Sequence, residues 1–385
     1  MKVLRVPLKL KFYYLLSLFV QNKKTPGFEE DIPRNIRSGE EFPLENLKEF
    51  LQNNNIDTSN LKLKQFPSGY SNLTYFLKNS SQEMVLRRPP YGAKSLKGGH
   101  DMLREYTVLK NLKSQFHKVP NVHLYCDDEN ILGAPFYIMD RVQGYIIRPN
   151  LQQKNSPSKE IIEKISSSLV DTLVELHSVD INQANLNDLG KIDGYVKRQV
   201  EGWTKRYYHS KTDSISDMEF IAKWLNENQP KESKEAIIHN DFKYDNLVLD
   251  KNNYSNIISV LDWEMATIGD PFMDLGTTLG YWVDRNDLPE LQLFQLSATT
   301  LEGNPSREGI LEMYENKSGH TVNNPVFYYV FGLFKIAVIA QQIYFRYKKG
   351  FTKDKRFGLL NLAVISLSVM AKQAIVKDRL SNLFE

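Results

Sequence analysis

A chain of 385 residues, 41% apolar and 25% charged, is long enough to build two lobes around separate cores and has the composition of a folded globular protein. Its 49 basic and 46 acidic residues leave a net charge of +3, which speaks against the concentrated basic face of a nucleic-acid binder. A single cysteine, Cys126, excludes an internal disulfide and a thiolate metal site, and it fits a reducing, cytoplasmic location.

At the N-terminus Lys2, Arg5, Lys9 and Lys11 precede an apolar run from Phe12 to Val20 that is too short to span a bilayer. It has the length of a signal-peptide core, but QNKKTPG follows without a small-residue cleavage pattern. Residues 1–36 therefore read as a poorly ordered extension. From Pro43, PLENLKEFLQNN predicts a short amphipathic helix with Leu44, Leu47, Phe50 and Leu51 on one face. The runs 61–66, 73–77 and 83–88 are rich in branched and aromatic residues and are separated by PSGYSN and KNSSQ, which predicts an antiparallel meander. A helix over 101–116 follows, with Leu103, Tyr106, Leu109, Leu112 and Phe116 at helical spacing, then a buried strand over 135–144 that ends in a hinge at Gly144.

Beyond the hinge the pattern turns helical. Residues 158–180 place Ile161, Ile165, Leu169, Leu173 and Leu176 on one stripe, with Ser158 as the expected N-cap. Helices are also expected over 331–347 and 359–375, and the apolar run Pro325–Phe345 is broken by Lys335, Gln341 and Gln342. That run reads as a buried core helix, and no membrane span is expected. The fold class is α+β: a strand-rich N-lobe over 37–142, then a mostly helical C-lobe over 143–385 with a few strands inside it and a cleft between.

The chemistry is concentrated in IIHNDFKYDNLVLD, residues 237–250, where His239, Asp241 and Asn246 fall at H-x-D-x4-N spacing and Asp262 follows on a predicted strand. Phosphoryl transfer needs an Asp to accept the hydroxyl proton, an Asn at a fixed offset to ligate Mg²⁺ and a further Asp on the metal. Hard oxygen ligands of this kind suit Mg²⁺. In GDPFMDLG, Asp270 is a good N-cap, Pro271 suits the first helical position, and Asp274 falls in the first turn, where the helix dipole favours a carboxylate.

These segments resemble the aminoglycoside phosphotransferase family, a kinase-like group that phosphorylates small molecules, and most nearly the phosphotransferase domain fused to or encoded beside acyl-CoA dehydrogenases. HNDFKYDNLVLD and VLDWEMATIGDPFMDLG carry the likeness together with RSGEEFPLENLKEFL, FPSGYSNLTYFL, VLRRPP, REYTVLKNL, PFYIMDRVQG and LVELHSVD, collinear from about Arg37 to Gly280. The resemblance implies a protein-kinase-like two-lobed fold using ATP and Mg²⁺, with Asp241 as general base, Asn246 and Asp262 as metal ligands, His239 propping the loop and Asp274 bracing it. Asp245, Lys243 and Glu264 lie beside these residues without an assigned role, and His177 is read as structural.

For the nucleotide, the turn containing Ser68, Gly69, Ser71 and Asn72 is either a phosphate-covering loop or a plain hairpin, since the kinase G-x-G-x-x-G is absent. The strand expected to supply a phosphate-pairing Lys reads MVLRR, so Arg87 or its neighbour Arg88 takes that role, with Glu105 as ion-pair partner. Backbone groups of Met139 to Val142, Arg141 among them, are expected to meet adenine. The resemblance also implies a hydroxyacyl-CoA acceptor and a functional link to an acyl-CoA dehydrogenase. Lys94, Lys97, Gly98 and Gly99 with Arg148, Lys197, Arg198, Lys205 and Arg206 then either receive CoA phosphates or form an ordinary solvated surface. Choline, homoserine, a sugar or an aminoglycoside as acceptor, a membrane-tethered form, and a catalytically silent nucleotide-binding module are the alternatives.

Overall fold

The computed structural model describes residues 31–67, 72–90, 100–148, 157–230, 235–288, 291–292, 297–352 and 354–385. The expected first helix is α1 (Leu44–Asn53), followed by β1 (Lys62–Gln65), β2 (Leu73–Lys78) and β3 (Glu83–Arg88) in an antiparallel meander. Next come α2 (Met102–Leu112), β4 (Val122–Cys126), the single turn α3 (Glu129–Leu132) and β5 (Phe136–Asp140). β4 was not foreseen. β5 inserts between it and β3, giving a five-stranded sheet in the order β1-β2-β3-β5-β4. Residues 31–36, expected to be poorly ordered, instead dock on the sheet, where Arg34 and Gln65 exchange backbone hydrogen bonds of 2.7 and 2.8 Å.

Strand alternation gives the sheet two different faces. Tyr75, Leu77, Met84, Leu86, Phe136 and Ile138 point outward and form a small core with Leu47 and Leu51 of α1. Phe76, Val85, Tyr137 and Met139 point inward against α2. The buried face of α2 consists of Met102, Glu105, Val108, Leu109 and Leu112, while Leu103 is 50% exposed. The predicted stripe was therefore rotated, because a charged residue, Glu105, belongs to the buried side.

The C-lobe contains α4 (Lys159–His177), α5 (Tyr195–Ser210), α6 (Ser216–Glu227), α7 (Pro271–Tyr281), α8 (Arg307–Ser318), α9 (Pro325–Lys348) and α10 (Leu360–Lys377). Ser158 occupies the N-cap position of α4 but makes no side-chain cap bond. Two short antiparallel ladders lie among these helices, β6 (Ala236–Ile238) with β9 (Thr267–Gly269), and β7 (Leu247–Leu249) with β8 (Ile257–Val260). The inner face of the N-lobe sheet and the C-lobe helices share one continuous core, so the lobes are not built around separate cores as expected.

Among the described residues two helices, Pro325–Lys348 and the stretch Lys355–Lys377, are long and apolar enough to cross a membrane, yet 83% of the apolar window of the first is buried within the fold. α9 is thus the core helix its composition suggested. It crosses α7 at unusually close range, because a Cβ on Gly276 would overlap the Tyr328 carbonyl oxygen and one on Gly332 would overlap the Gly276 carbonyl oxygen. This glycine contact docks the helix bearing Asp274 onto the helix bearing Lys335.

Candidate active site

The segment 239–246 leaves β6 and enters β7 through a tight loop. Asn240 holds a left-handed φ of 67° there, a conformation that Asn tolerates better than most residues. The loop is clamped from the N-terminus of α7. Asp270 caps that helix by accepting from the Phe272 amide at 2.8 Å, and Asp274, fully buried one turn in, accepts from the amides of His239 and Asn240 at 2.7 Å each. Three donors converge on Asp274, because His177 Nε2 also approaches Oδ2 at 3.3 Å while its Nδ1 faces the Tyr314 hydroxyl at 2.8 Å. His177 braces the brace.

His239 is completely buried, and burial pushes its imidazole below the usual range despite nearby carboxylates. Its Nδ1 accepts from the Asp241 amide at 3.2 Å, so Nε2 carries the proton and donates to the Leu261 carbonyl at 3.0 Å. With both nitrogens engaged on backbone, this histidine is a prop between the loop and the end of β8.

Asp241 stands at the centre. Lys243 Nζ donates to its two carboxylate oxygens at 3.1 and 3.0 Å, Asn246 Nδ2 donates to its carbonyl and to Oδ2 at 2.8 and 2.9 Å, and the Tyr281 hydroxyl hydrogen-bonds it as well. Burial alone would raise this carboxyl. Lys243 and Tyr281 outweigh burial and hold it below the usual range, so Asp241 is ionised at neutral pH. Lys243 in turn lies 4.4 Å above the Tyr281 ring, and the Asp241 carboxylate raises its ammonium against the opposing effect of burial. Neighbouring Asp245 is pushed up to about 7 by burial, which Lys243 and Arg148 only partly offset. Sequence reasoning saw Lys243 without a role and missed Tyr281, which sits at the far end of α7 and carries no local spacing signal.

Asn246 and Asp262 flank the β7–β8 hairpin. The register Leu247↔Val260 and the bond from the Leu261 amide to the Asn246 carbonyl (2.8 Å) bring the two residues to the same end. Because Asp241 takes the Asn246 amide nitrogen, the side-chain oxygen is the atom left to ligate a cation. Asp262 also adopts a left-handed φ, 69°, and its side chain is 36% exposed. No group of three or more His, Cys, Asp or Glu able to hold a metal exists among the described residues. One amide oxygen and one carboxylate suit an octahedral Mg²⁺ that keeps waters and phosphate oxygens in its shell, so the donor set fits that ion.

Across the cleft, the pleat of β3 separates the two candidate arginines. Arg87 points inward and its Nη2 lies 2.9 Å from Asp262, 3.5 Å from Glu105 and 3.7 Å from Glu264. Arg88 points outward, wholly buried, and donates to the Leu132 carbonyl at 2.6 Å. Arg87 is therefore the arginine of the cleft, and Arg88 pins α3 to the sheet. Asn72 donates to Glu264 at 2.7 Å and meets His100 Nδ1 at 2.9 Å, so its side chain is a strut between the lobes. Ser68, Gly69 and Ser71, and likewise Lys94, Lys97, Gly98 and Gly99, lie outside the described residues.

At the expected adenine edge, Met139 to Val142, part of the backbone is taken by protein partners. The Asp140 and Arg141 amides donate to Asn121 and Glu83 (2.8 and 3.1 Å), and Met139 pairs with strands on both sides. The Arg141 guanidinium turns away to Glu83 at 2.7 Å and packs over Phe76. The strand itself ends at Asp140, short of the expected 144, but these pairings leave the Asp140 and Arg141 amides engaged, and the Met139 side chain lies on the inner face. Beyond the hinge, Arg148 pairs with Asp31, Lys197 with Glu201, and Arg206 stacks on Trp203.

Residues 62–308 match the family model described as the phosphotransferase enzyme family. Acyl-CoA dehydrogenase family member 11 from Rattus norvegicus is 36% identical over 336 residues, covering 83% of this chain and 42% of that protein. The chain thus spans less than half the length of this curated relative, and only 29% of acyl-CoA dehydrogenase family member 10 from Mus musculus. Among solved structures, a Ralstonia eutropha protein assigned as an aminoglycoside phosphotransferase superposes with a TM-score of 0.72 at 27% identity, covering 86% of this chain and 99% of that one. The aminoglycoside phosphotransferase APH(4)-Ia, solved with ADP and hygromycin B, superposes with a TM-score of 0.52 at 15% identity over 83% of this chain and 97% of its own, a likeness of fold.

Proposed function

The chain belongs to the phosphotransferase enzyme family, kinase-like enzymes acting on small molecules, and we propose that it transfers the γ-phosphoryl group of ATP to the hydroxyl of a hydroxyacyl-CoA. The observation that carries the transfer is Asp241: a carboxylate kept ionised by Lys243 and Tyr281 and fixed by Asn246, at the cleft that Arg87 faces from the other lobe.

Asp241 orients the acceptor hydroxyl and accepts its proton as the oxygen attacks the γ-phosphorus and ADP departs. Arg87 offers a fixed cation to the phosphates, and Glu105 anchors it at 3.5 Å. Asn246 and Asp262 would hold Mg²⁺, which supplies charge neutralisation on the phosphates when bound. Asp274 and His239 keep the loop in place.

The acyl-CoA part of the reading rests on relatives named as acyl-CoA dehydrogenases, of which this chain matches a portion. A hydroxyl phosphorylated on an acyl chain becomes a good leaving group, which suits a product passed to an enzyme of acyl-CoA breakdown. Purified protein with Mg-ATP and a panel of 3-, 4- and 5-hydroxyacyl-CoAs, choline, homoserine, a sugar and aminoglycosides tests it by the mass gain of one phosphoryl group. Gain on a hydroxyacyl-CoA, lost by roughly a hundredfold or more in Asp241→Asn, is the expected result. Gain on another acceptor alone would replace the substrate, and no gain on any acceptor with ATP still bound would withdraw the reading.

A further inference from the structure

We propose that Lys335, on the buried helix α9, positions the Asp241 loop by holding the peptide that leads into Asp241; the proposal rests on reading that loop as the phosphoryl-transfer site. Lys335 is 1% exposed within a helix that is otherwise largely apolar. Its Nζ donates to the Asn240 carbonyl oxygen at 2.7 Å and to Asn240 Oδ1 at 3.1 Å. That carbonyl belongs to the Asn240–Asp241 peptide, so anchoring it sets the rotation of the peptide plane and with it the direction in which the Asp241 side chain leaves the backbone.

The opposite side of the same residue is already held, because the Asn240 amide donates to Asp274. Asn240 is thus gripped from α7 and α9 together, in a left-handed conformation that few residues adopt unaided. A lysine here is a poor choice for packing alone, since an apolar side chain of similar length would avoid taking an ammonium out of water. What it provides is a charged donor on the carbonyl next to the base.

The charged groups facing Lys335 are Asp274 from α7, Asp241 and Lys243 from the loop, and Arg206 from α5, whose Trp203 ring lies 5.8 Å away. On α6 and α10, Asp217 and Lys372 pair with each other at 2.7 Å. Burial pushes the ammonium down to about 8, against the pull of Asp274 and Asp241. The strut accordingly passes from ammonium to neutral amine just above neutrality.

The test follows the backbone amide of Asp241 by selectively labelled NMR of the full chain from pH 6.5 to 9.5, in parallel with the Mg-ATP-dependent rate. Wild type should show an amide shift with a midpoint near 8 and a rate that declines through the same range. Lys335→Met should lose that step and about tenfold to a hundredfold in rate. Lys335→Arg, charged throughout, should keep the low-pH amide position and most of the rate up to pH 9.5. Asp245 titrates lower, and comparison with the methionine variant removes its contribution. Should Lys335→Met fail to fold, Lys335→Arg carries the test alone.

An Asp241 amide that shows no step near 8, or the same step in Lys335→Met or Lys335→Arg as in wild type, overturns the proposal. Wild type that shows the step but transfers no phosphoryl group overturns the functional reading instead and leaves the coupling of Lys335 to the loop standing.

Discussion

Replacing Arg87 with methionine tests the electrostatics that join the lobes. One guanidinium faces three carboxylates, Asp262 at 2.9 Å, Glu105 at 3.5 Å and Glu264 at 3.7 Å. At an effective dielectric of about 20, a unit pair at 3.5 Å attracts by about 5 kcal/mol before desolvation is counted. Asp262 is more than a third exposed and solvent screens its share, whereas Glu105 is buried and has nowhere to turn. Leaving such a carboxylate unpaired costs about 3–5 kcal/mol, so Arg87→Met should unfold about 5–10 °C lower than wild type at pH 7.

The deficit should also depend on pH. Burial already raises Glu105, with Arg87 opposing it. Without Arg87 its folded pKa rises further above the unfolded value. A carboxyl raised in the folded state is penalised fully above its folded pKa and not at all below the unfolded one, so the variant should recover relative to wild type as pH falls from 7 toward 5. Thermal unfolding followed by circular dichroism at several pH values measures both effects. Equal stability at pH 7, or a deficit that does not shrink on acidification, would refute the account of Arg87 as the counter-charge of the buried Glu105. Arg87→Lys should lose less stability than the methionine variant, since it keeps the charge.

Two further substitutions probe the loop and the helix crossing. Lys243→Met removes the cation that does most to hold Asp241 ionised, leaving the Tyr281 hydrogen bond with less help against burial, so the acid limb of the pH–rate profile should move to higher pH while nucleotide binding persists; an unmoved limb would dismiss Lys243 as the cause. Gly332→Ala places a methyl group against the Gly276 carbonyl, and overpacking of this kind should lower stability by roughly 1–3 kcal/mol in urea unfolding, whereas a variant as stable as wild type would mean that α7 and α9 can separate freely.

Much of this protein is written in short-range pattern. The meander appears as three β-rich runs and β3 has its predicted bounds, because turn residues and alternation act over a few positions. Asp241 and Asn246 share one loop, so their relation is an offset along the chain, and the Asp270–Pro271 cap could be read for the same reason. Tertiary structure decided matters for which the chain carries no local signal. Arg87 and Arg88 are adjacent and alike, and only the docking of α1 and α3 on one face of the sheet and α2 on the other tells which of them faces the cleft. β4 and the extent of β5 depend on strand pairing, which commits the Asp140 and Arg141 amides before any ligand can. Tyr281 and Lys335 reach the Asp241 loop from helices forty and more than ninety residues away, brought in by a glycine crossing whose consequence is spatial. The sequence by itself determined which chemical groups sit together on one short segment; how they are charged and held depends on distant partners, since burial and electrostatics act through space rather than along the chain.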